Sequence, residues 1–265
     1  MAHQEQMNFV QTVAEHISPS GYNNKKVLEI GSYNVNGTIR PFFDKSEYIG
    51  VDLVEGDGVD YICSGSQVPF ADNKFDITIS CECFEHDPEW NKTFFNMYRM
   101  VKPGGVLCFT CATRGRIEHG TTNRSPIKSP GTQSVGWDYY RNLTTKDFKK
   151  KIDFGKMFSC YLFIENKYSK DLYFVGKKLG DCVSLNLDIE LFRTQYEDLK
   201  QCIEKPIESK SKYPSLLLSI AKLHIIPIKL AENLPDPYFQ KFFRFYWAYD
   251  HKIKSIVKRM ISGFI

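Results

Sequence analysis

VLEIGSYNVNG runs from Val27 to Gly37. The apolar start, Val27 to Ile30, reads as a buried strand. The chain then turns through Gly31 and Gly37. In open parallel sheets, ligands bind at the carboxyl ends of the strands, near the point where strand order reverses. A glycine there lets a ligand approach the backbone closely. A second strand, in EYIGVDLV, ends near Asp52. An acid about twenty residues after a glycine loop can hold a pair of ribose hydroxyls. The bland alternative for this stretch is a strand–helix turn with a surface aspartate.

The dinucleotide pattern G-x-G-x-x-G is absent, because Tyr33 and Asn34 stand where its second glycine would fall. That counts against a pyrophosphate. Glu29, just before Gly31, suits a cofactor with positive charge instead. The amino group and sulfonium of S-adenosylmethionine are such charges.

Working outward, Asn8 to His16 predicts a short amphipathic helix. VDYICS, Val59 to Ser64, and Phe75 to Ser80 predict the third and fourth strands. Pro88 to Met100 predicts a helix with Asp87 as N-cap and Pro88 at N1, stopped by Lys102-Pro103-Gly104-Gly105. GVLCFTCA is the fifth strand. Thr144 to Ile152 predicts a further helix, and Phe158 to Ile164 with Leu172 to Val175 a hairpin. Strands alternating with helices predict an α/β fold. The sheet is expected to be mostly parallel, Rossmann-like and seven-stranded, with an antiparallel edge hairpin. Residues 1–180 read as one domain and 181–265 as a mainly helical extension. That extension contains LFRTQYEDLKQCI, LLLSIAKLHII and a last helix around Pro237 to Met260.

The chain has 265 residues, 42% hydrophobic and 25% charged, which is ordinary for a globular protein. A net charge of +4 gives no argument for nucleic-acid binding. The N-terminal MAHQEQMNFVQTV lacks a basic start followed by an apolar run, so no secretory leader is expected. No apolar run approaches a membrane span. Several of the eight cysteines sit in strand-like runs, which fits free thiols in a reducing, cytoplasmic compartment. Cys108 and Cys111 have CxxC spacing. On a strand, residues three apart face opposite sides, so no zinc or redox pair is expected there.

VLEIGSYNVNG, YIGVDLVEGDGVD, SQVPFADNKFDITISCECFEH and MVKPGGVLCFT, taken in order, resemble a class I S-adenosylmethionine-dependent methyltransferase of the type 11 group. The resemblance covers roughly Lys25 to Lys177. It implies that Glu29 and Gly31 line the amino-acid end of the cofactor and that Asp52 binds the ribose. The family often has an aspartate beside the adenine. Ser64 stands at that place here and would make a neutral contact. The candidate cofactor set is Glu29, Gly31, Ser32, Tyr33, Asn36, Gly37, Asp52, Leu53, Ser64, Gly65 and Cys81.

CECFEHDPE, Cys81 to Glu89, follows the fourth strand. Glu82, Glu85, His86 and Glu89 fall at i, i+3, i+4 and i+7, so a continuous helix would gather them on one face. Pro88 interrupts such a helix. The run resembles E-x-x-E-H-x-x-E of ubiquinone-biosynthesis O-methyltransferases, where the equivalent residues bind a divalent ion beside the acceptor. The resemblance makes all four candidate ligands for Mg²⁺ or another divalent ion. His86 and Glu85 are the candidate catalytic residues, and His86 can act as a general base without a metal. The alternative is a shaped helix start with a structural histidine.

Thr113 to Asn142 is long for a loop and reads as a lid or binding segment. GWDYYRNLTTKDF resembles the family's aromatic segment over the acceptor, which makes Trp137, Tyr139, Tyr140 and Arg141 candidate substrate-binding residues. Loop packing and a surface ion pair are the alternatives for these four. His119 reads as a solvated loop residue. KFFRFYWAYDHKIKSIVKRM, basic and aromatic, suits an interfacial helix on an anionic membrane. Its alternative is a packing helix, against the domain or against a second subunit in a homodimer. The expected activity is O-methylation of a sugar, surface glycan or other small metabolite. The rivals are a non-catalytic cofactor-binding subunit of a glycan-assembly complex and, more distantly, a nucleotide-dependent oxidoreductase.

Overall fold

The structure, a computed structural model, describes residues 3–182, 185–204 and 226–248. The elements run α1 (Gln4–Ile17), β1 (Lys26–Ile30), β2 (Glu47–Asp52), β3 (Tyr61–Ile62), β4 (Phe75–Cys81), α2 (Trp90–Met100) and β5 (Val101–Ala112). There follow α3 (Pro130–Ser134), α4 (Thr145–Lys151), α5 (Phe154–Met157), β6 (Phe158–Asn166), β7 (Asp171–Lys178) and α6 (Ile189–Glu204). The sheet has seven strands in the order β3-β2-β1-β4-β5-β7-β6. β1 pairs in parallel with both β2 and β4, whereas β7 runs antiparallel to β5 and β6. Strand order therefore reverses beside β1, and the carboxyl ends of β1, β2 and β4 open at one edge.

Each face of the sheet carries its own core. One packs α1 and α6, through Phe9, Val13, Phe192 and Tyr196, against Val27, Ile77, Val106 and Cys108. The other packs α2, α4 and α5 against Leu28, Leu107, Phe109 and Cys111. Cys108 and Cys111 thus face opposite sides of β5, as strand alternation requires. Both are free thiols. α2 buries Trp90, Phe94 and Met97, a spacing of i, i+4, i+7 that makes one helical stripe. Phe109 stacks between Phe148 at 4.6 Å and Phe174 at 5.0 Å. α4 begins with a capping box in which Thr144 and Asp147 satisfy each other's backbone amides.

Several expectations need correction. α2 starts at Trp90 with Glu89 as N-cap, two residues later than the proline pattern implied. Asp87 instead accepts from the Glu89 amide and the Thr93 hydroxyl, which tightens the turn before the helix. The helix stops at Met100, and KPGG belongs to β5, whose pairing with β4 shifts register there. The connections from β1 to β4 hold only 3-10 turns, at Arg40–Phe43 and Gly65–Gln67, rather than helices. By its contacts the chain divides into two compact units, Met1–Pro206 and Ile207–Ile265. The reason is burial: Leu185, Leu187, Phe192 and Tyr196 join the first core. In the second unit, residues 226–231 and 236–248 are helical, with Tyr238, Phe245 and Trp247 exposed. LLLSIAKLHII up to His224 and Ile225, and the expected last helix beyond 248, lie outside the described residues. Among the described residues, no helix is long and apolar enough to cross a membrane.

Candidate active site

A cleft with a cavity volume of about 110 Å³ opens at the carboxyl ends of β1, β2 and β4. Glu29, Gly31, Ser32, Tyr33, Asn36, Gly37, Asp52, Leu53, Gly65 and Cys81 all line it. Ser64 does not, because its hydroxyl turns to Ser66 at 3.1 Å. Gly31 has φ +84, and a Cβ on it would lie 2.7 Å from the Cys83 Cβ. A side chain is therefore excluded there on both conformational and steric grounds.

The two acids of this half differ in setting. Glu29 is 5% exposed and accepts from the Tyr48 hydroxyl at 2.7 Å. Burial pushes its pKa up to about 7, against the pull of that hydrogen bond. Asp52 is half-buried and accepts from the Tyr33 amide at 3.0 Å and the Leu53 amide at 2.7 Å. Burial raises its pKa too, and the two amides oppose the rise. A Cβ on Gly131, in α3, would come 2.9 Å from Asp52 Oδ1, so the 113–142 segment folds directly over this carboxylate. Lys128, Thr132 and Trp137 of the same segment also line the cleft.

The far half of the cleft is formed by the turn after β4. Glu82 adopts φ 50, the left-handed region rare for a non-glycine residue. A 3-10 turn over Phe84–His86 follows. This backbone does not gather Glu82, Glu85, His86 and Glu89 on one face. Glu82 points to His3 and Asp171, whereas Glu85 and His86 meet His119; within each trio the ligand-type atoms lie within 4.8 Å of one another. Glu89 belongs to neither group, since it pairs with Lys92 and accepts from the Ser66 hydroxyl at 2.8 Å. The left-handed residue and Pro88 break the helical spacing on which the single-face expectation depended.

Around Glu82 the charges balance. His3 Nε2 lies 2.9 Å from Asp171 Oδ2 and 3.9 Å from Glu82 Oε2. Arg116 Nη1 lies 3.0 Å from Asp171 Oδ1, and its Nη2 3.9 Å from Glu82 Oε2. Burial opposes charge on His3, but the hydrogen bond to Asp171 and the charge of Glu82 outweigh it and raise its pKa above the usual value. Burial, then the charge of Asp171, raises the pKa of Glu82. Gln6 of α1 also lines the cleft, 1% exposed, and neither of its side-chain polar atoms has a hydrogen-bond partner.

Glu85 is fully buried but does not line the cleft; burial and then the Glu82 charge push its pKa up to about 8. His86 lines the cleft at 5% exposure. Burial, then His119, holds its pKa well below the usual value, so the imidazole is neutral at pH 7. His119 is equally buried, with a pKa held down at about 4 mainly by burial, which corrects the expectation of a solvated loop residue. Tyr140 stands edge-on to both rings, at 5.4 Å and 5.0 Å, and does not line the cleft. Arg141 pairs with Asp147 at 2.5 Å, the surface ion pair that was its alternative reading. Tyr139 also lies outside the cleft lining and leaves Trp137 as the one candidate substrate residue within it.

His3, Gln6 and Arg116 were not singled out by the sequence, and His119 was read only as a solvated loop residue. No local pattern marks them. Arg116 and Asp171 are 55 residues apart, and only sheet pairing brings them together.

The family described as Methyltransferase domain matches residues 42–109. Phosphoethanolamine N-methyltransferase 2 of Caenorhabditis elegans is 39% identical over 46 residues, covering 17% of this chain and 10% of that protein. Phthiotriol/phenolphthiotriol dimycocerosates methyltransferase 1 of Mycobacterium ulcerans is 25% identical over 124 residues, covering 40% of this chain and 43% of that protein. The chain thus spans less than half the length of these curated relatives. The YcgJ protein of Bacillus subtilis superposes with a TM-score of 0.46 at 13% identity, over 68% of this chain and 100% of that chain. Residues 42–109, which lie within the 3-2-1-4-5-7-6 sheet, are thus similar to a methyltransferase domain.

Proposed function

We propose that the protein transfers the methyl group of S-adenosylmethionine to a hydroxyl of a small acceptor, such as a sugar, a glycan terminus or another metabolite. One observation carries this reading. A single cleft joins the glycine loop, Glu29 and Asp52 to Glu82 and His86. The residues suit the cofactor: Gly31 leaves room at the backbone, Glu29 offers a carboxylate to an ammonium group, and Asp52, lining the same cleft, offers one to a pair of ribose hydroxyls. The bound cofactor supplies an electrophilic methyl group. The chain's own part is to hold the acceptor oxygen in line with that methyl and to keep water out. As the oxygen–carbon bond forms, the hydroxyl proton must leave. His86 is held neutral and lines the cleft, so its imidazole is the candidate to take the proton.

The test pairs two measurements on wild type and His86→Ala. Calorimetry with S-adenosylhomocysteine reads the cofactor half. Transfer of a labelled methyl group to a panel of monosaccharides, nucleotide sugars and phenols reads the acceptor half. His86→Ala should lower turnover by about 10²–10⁴-fold and leave S-adenosylhomocysteine affinity unchanged. Wild-type turnover in the variant removes His86 from the chemistry. Cofactor binding without transfer to any acceptor favours the non-catalytic subunit instead.

A further inference from the structure

The divalent ion implied by the E-x-x-E-H resemblance does not fit the four residues of that pattern, because Glu82 gathers with His3 and Asp171 and Glu89 pairs with Lys92 and Ser66, neither joining Glu85 and His86. A different set does converge. Glu85, His86 and His119 place ligand-type atoms within 4.8 Å of one another, with exposures of 0%, 5% and 5%. We propose that these three residues form a binding site for an imidazole-preferring divalent metal such as Zn²⁺ or Co²⁺, joining the turn after β4 to the 113–142 segment.

Three observations carry the proposal. First, the lone pairs are bare. His86 Nδ1, His119 Nε2 and both Glu85 carboxylate oxygens are buried with no hydrogen-bond partner on another residue. Buried polar atoms normally find partners, because desolvating one without compensation costs about 1–3 kcal/mol. Three such residues meeting at one point share one missing partner. Second, each ring is oriented from behind. His119 Nδ1 lies 3.1 Å from the Ile117 carbonyl, and His86 has a backbone hydrogen bond at Tyr139. An imidazole that donates one N–H to a carbonyl presents its other nitrogen as an acceptor, the arrangement usual behind metal-bound histidines. Third, the spacing is close to what coordination needs. Two metal–ligand bonds of about 2.1 Å span at most about 4.2 Å, so side-chain rotations of a few tenths of an ångström close the set.

Two imidazoles and one carboxylate favour zinc or a similar transition ion over Mg²⁺, which prefers oxygen ligands. Three protein ligands would leave a coordination position open, and His86, one of the three, lines the cleft. The metal would also pin the segment carrying His119 over the cleft. This inference rests on the reading that the His86 end of the cleft receives the acceptor. It replaces the free His86 base by a metal ligand.

The test is titration of EDTA-treated, full-length protein with Co²⁺, followed by visible absorption and calorimetry. One site per chain is expected, with the intense bands of a low-coordinate Co²⁺ centre. His119→Ala and Glu85→Gln should weaken binding by more than the ~10–100-fold cost of losing an outer-shell partner. Glu82→Gln and Glu89→Gln should bind as wild type does. S-adenosylhomocysteine affinity, measured on every variant, reports whether the fold is intact. Absence of Co²⁺ binding by the wild type overturns the proposal, as does an unchanged spectrum in His119→Ala. If Co²⁺ fails to bind while S-adenosylhomocysteine binds and His86→Ala loses turnover, the metal site falls and the methyl-transfer reading stands. If S-adenosylhomocysteine does not bind the wild type, the methyl-transfer reading falls whatever the metal does.

Discussion

If Glu29 holds the cofactor's ammonium as proposed, cofactor affinity should depend on pH near neutrality. Glu29 is buried, and its carboxyl is pushed up to about 7 in the free protein. The ammonium of S-adenosylhomocysteine should bind the ionised form only. At about pH 6 the carboxyl is protonated roughly ten to one, so ionising it costs about 1.4 kcal/mol. At about pH 7.5 that cost falls to about 0.2 kcal/mol, and the difference predicts roughly eightfold tighter binding. Binding at the lower pH should also release close to one proton. Calorimetry in two buffers of different ionisation enthalpy reads both quantities. In Glu29→Gln, affinity should fall and the slope with pH should flatten. Equal wild-type affinity at the two pH values would refute the reasoning, and so would an unchanged slope in Glu29→Gln.

The same ionisation has a consequence for the free protein. A raised carboxyl pKa means that the folded state holds a proton the unfolded state has released. Stability from Glu29 is therefore full below the unfolded carboxylate range and is lost as pH rises towards about 7. Urea unfolding at a series of pH values, compared between wild type and Glu29→Gln, reads that loss. Asp52→Ala should weaken S-adenosylhomocysteine binding by tenfold or more, since a charge-assisted hydrogen bond is worth about 1.5–3 kcal/mol; unchanged affinity in the folded variant would remove Asp52 from the site. Phe109→Ala should destabilise the protein by about 3–5 kcal/mol in urea unfolding, because the ring is fully buried between Phe148 and Phe174. A cost below about 1 kcal/mol would mean that the aromatic core collapses around the gap.

The residues that line the β1–β2 half of the cleft were legible in the chain because that half is local. VLEIG, the glycines that follow it and Asp52 lie on adjacent parallel strands, so linear spacing maps directly onto space. Period-two alternation likewise predicted that Cys108 and Cys111 would face opposite cores, and that needs only one strand. The acceptor half depends on tertiary placement. The i, i+3, i+4, i+7 pattern presumes helical backbone, and the left-handed Glu82 with the 3-10 turn after it scatters those residues into two groups. His119 reaches Glu85 and His86 only because the 113–142 segment folds back over the strand ends. His3 and Arg116 meet Glu82 and Asp171 only through the packing of α1 and the antiparallel pairing of β5 with β7. The sequence by itself determined which strands form and where the glycine loop lining the cleft lies, since periodicity and turn residues act over a few positions. The tertiary structure alone decided which acids and histidines share a buried space, because that depends on how distant segments close over the sheet and on which polar atoms they leave without water.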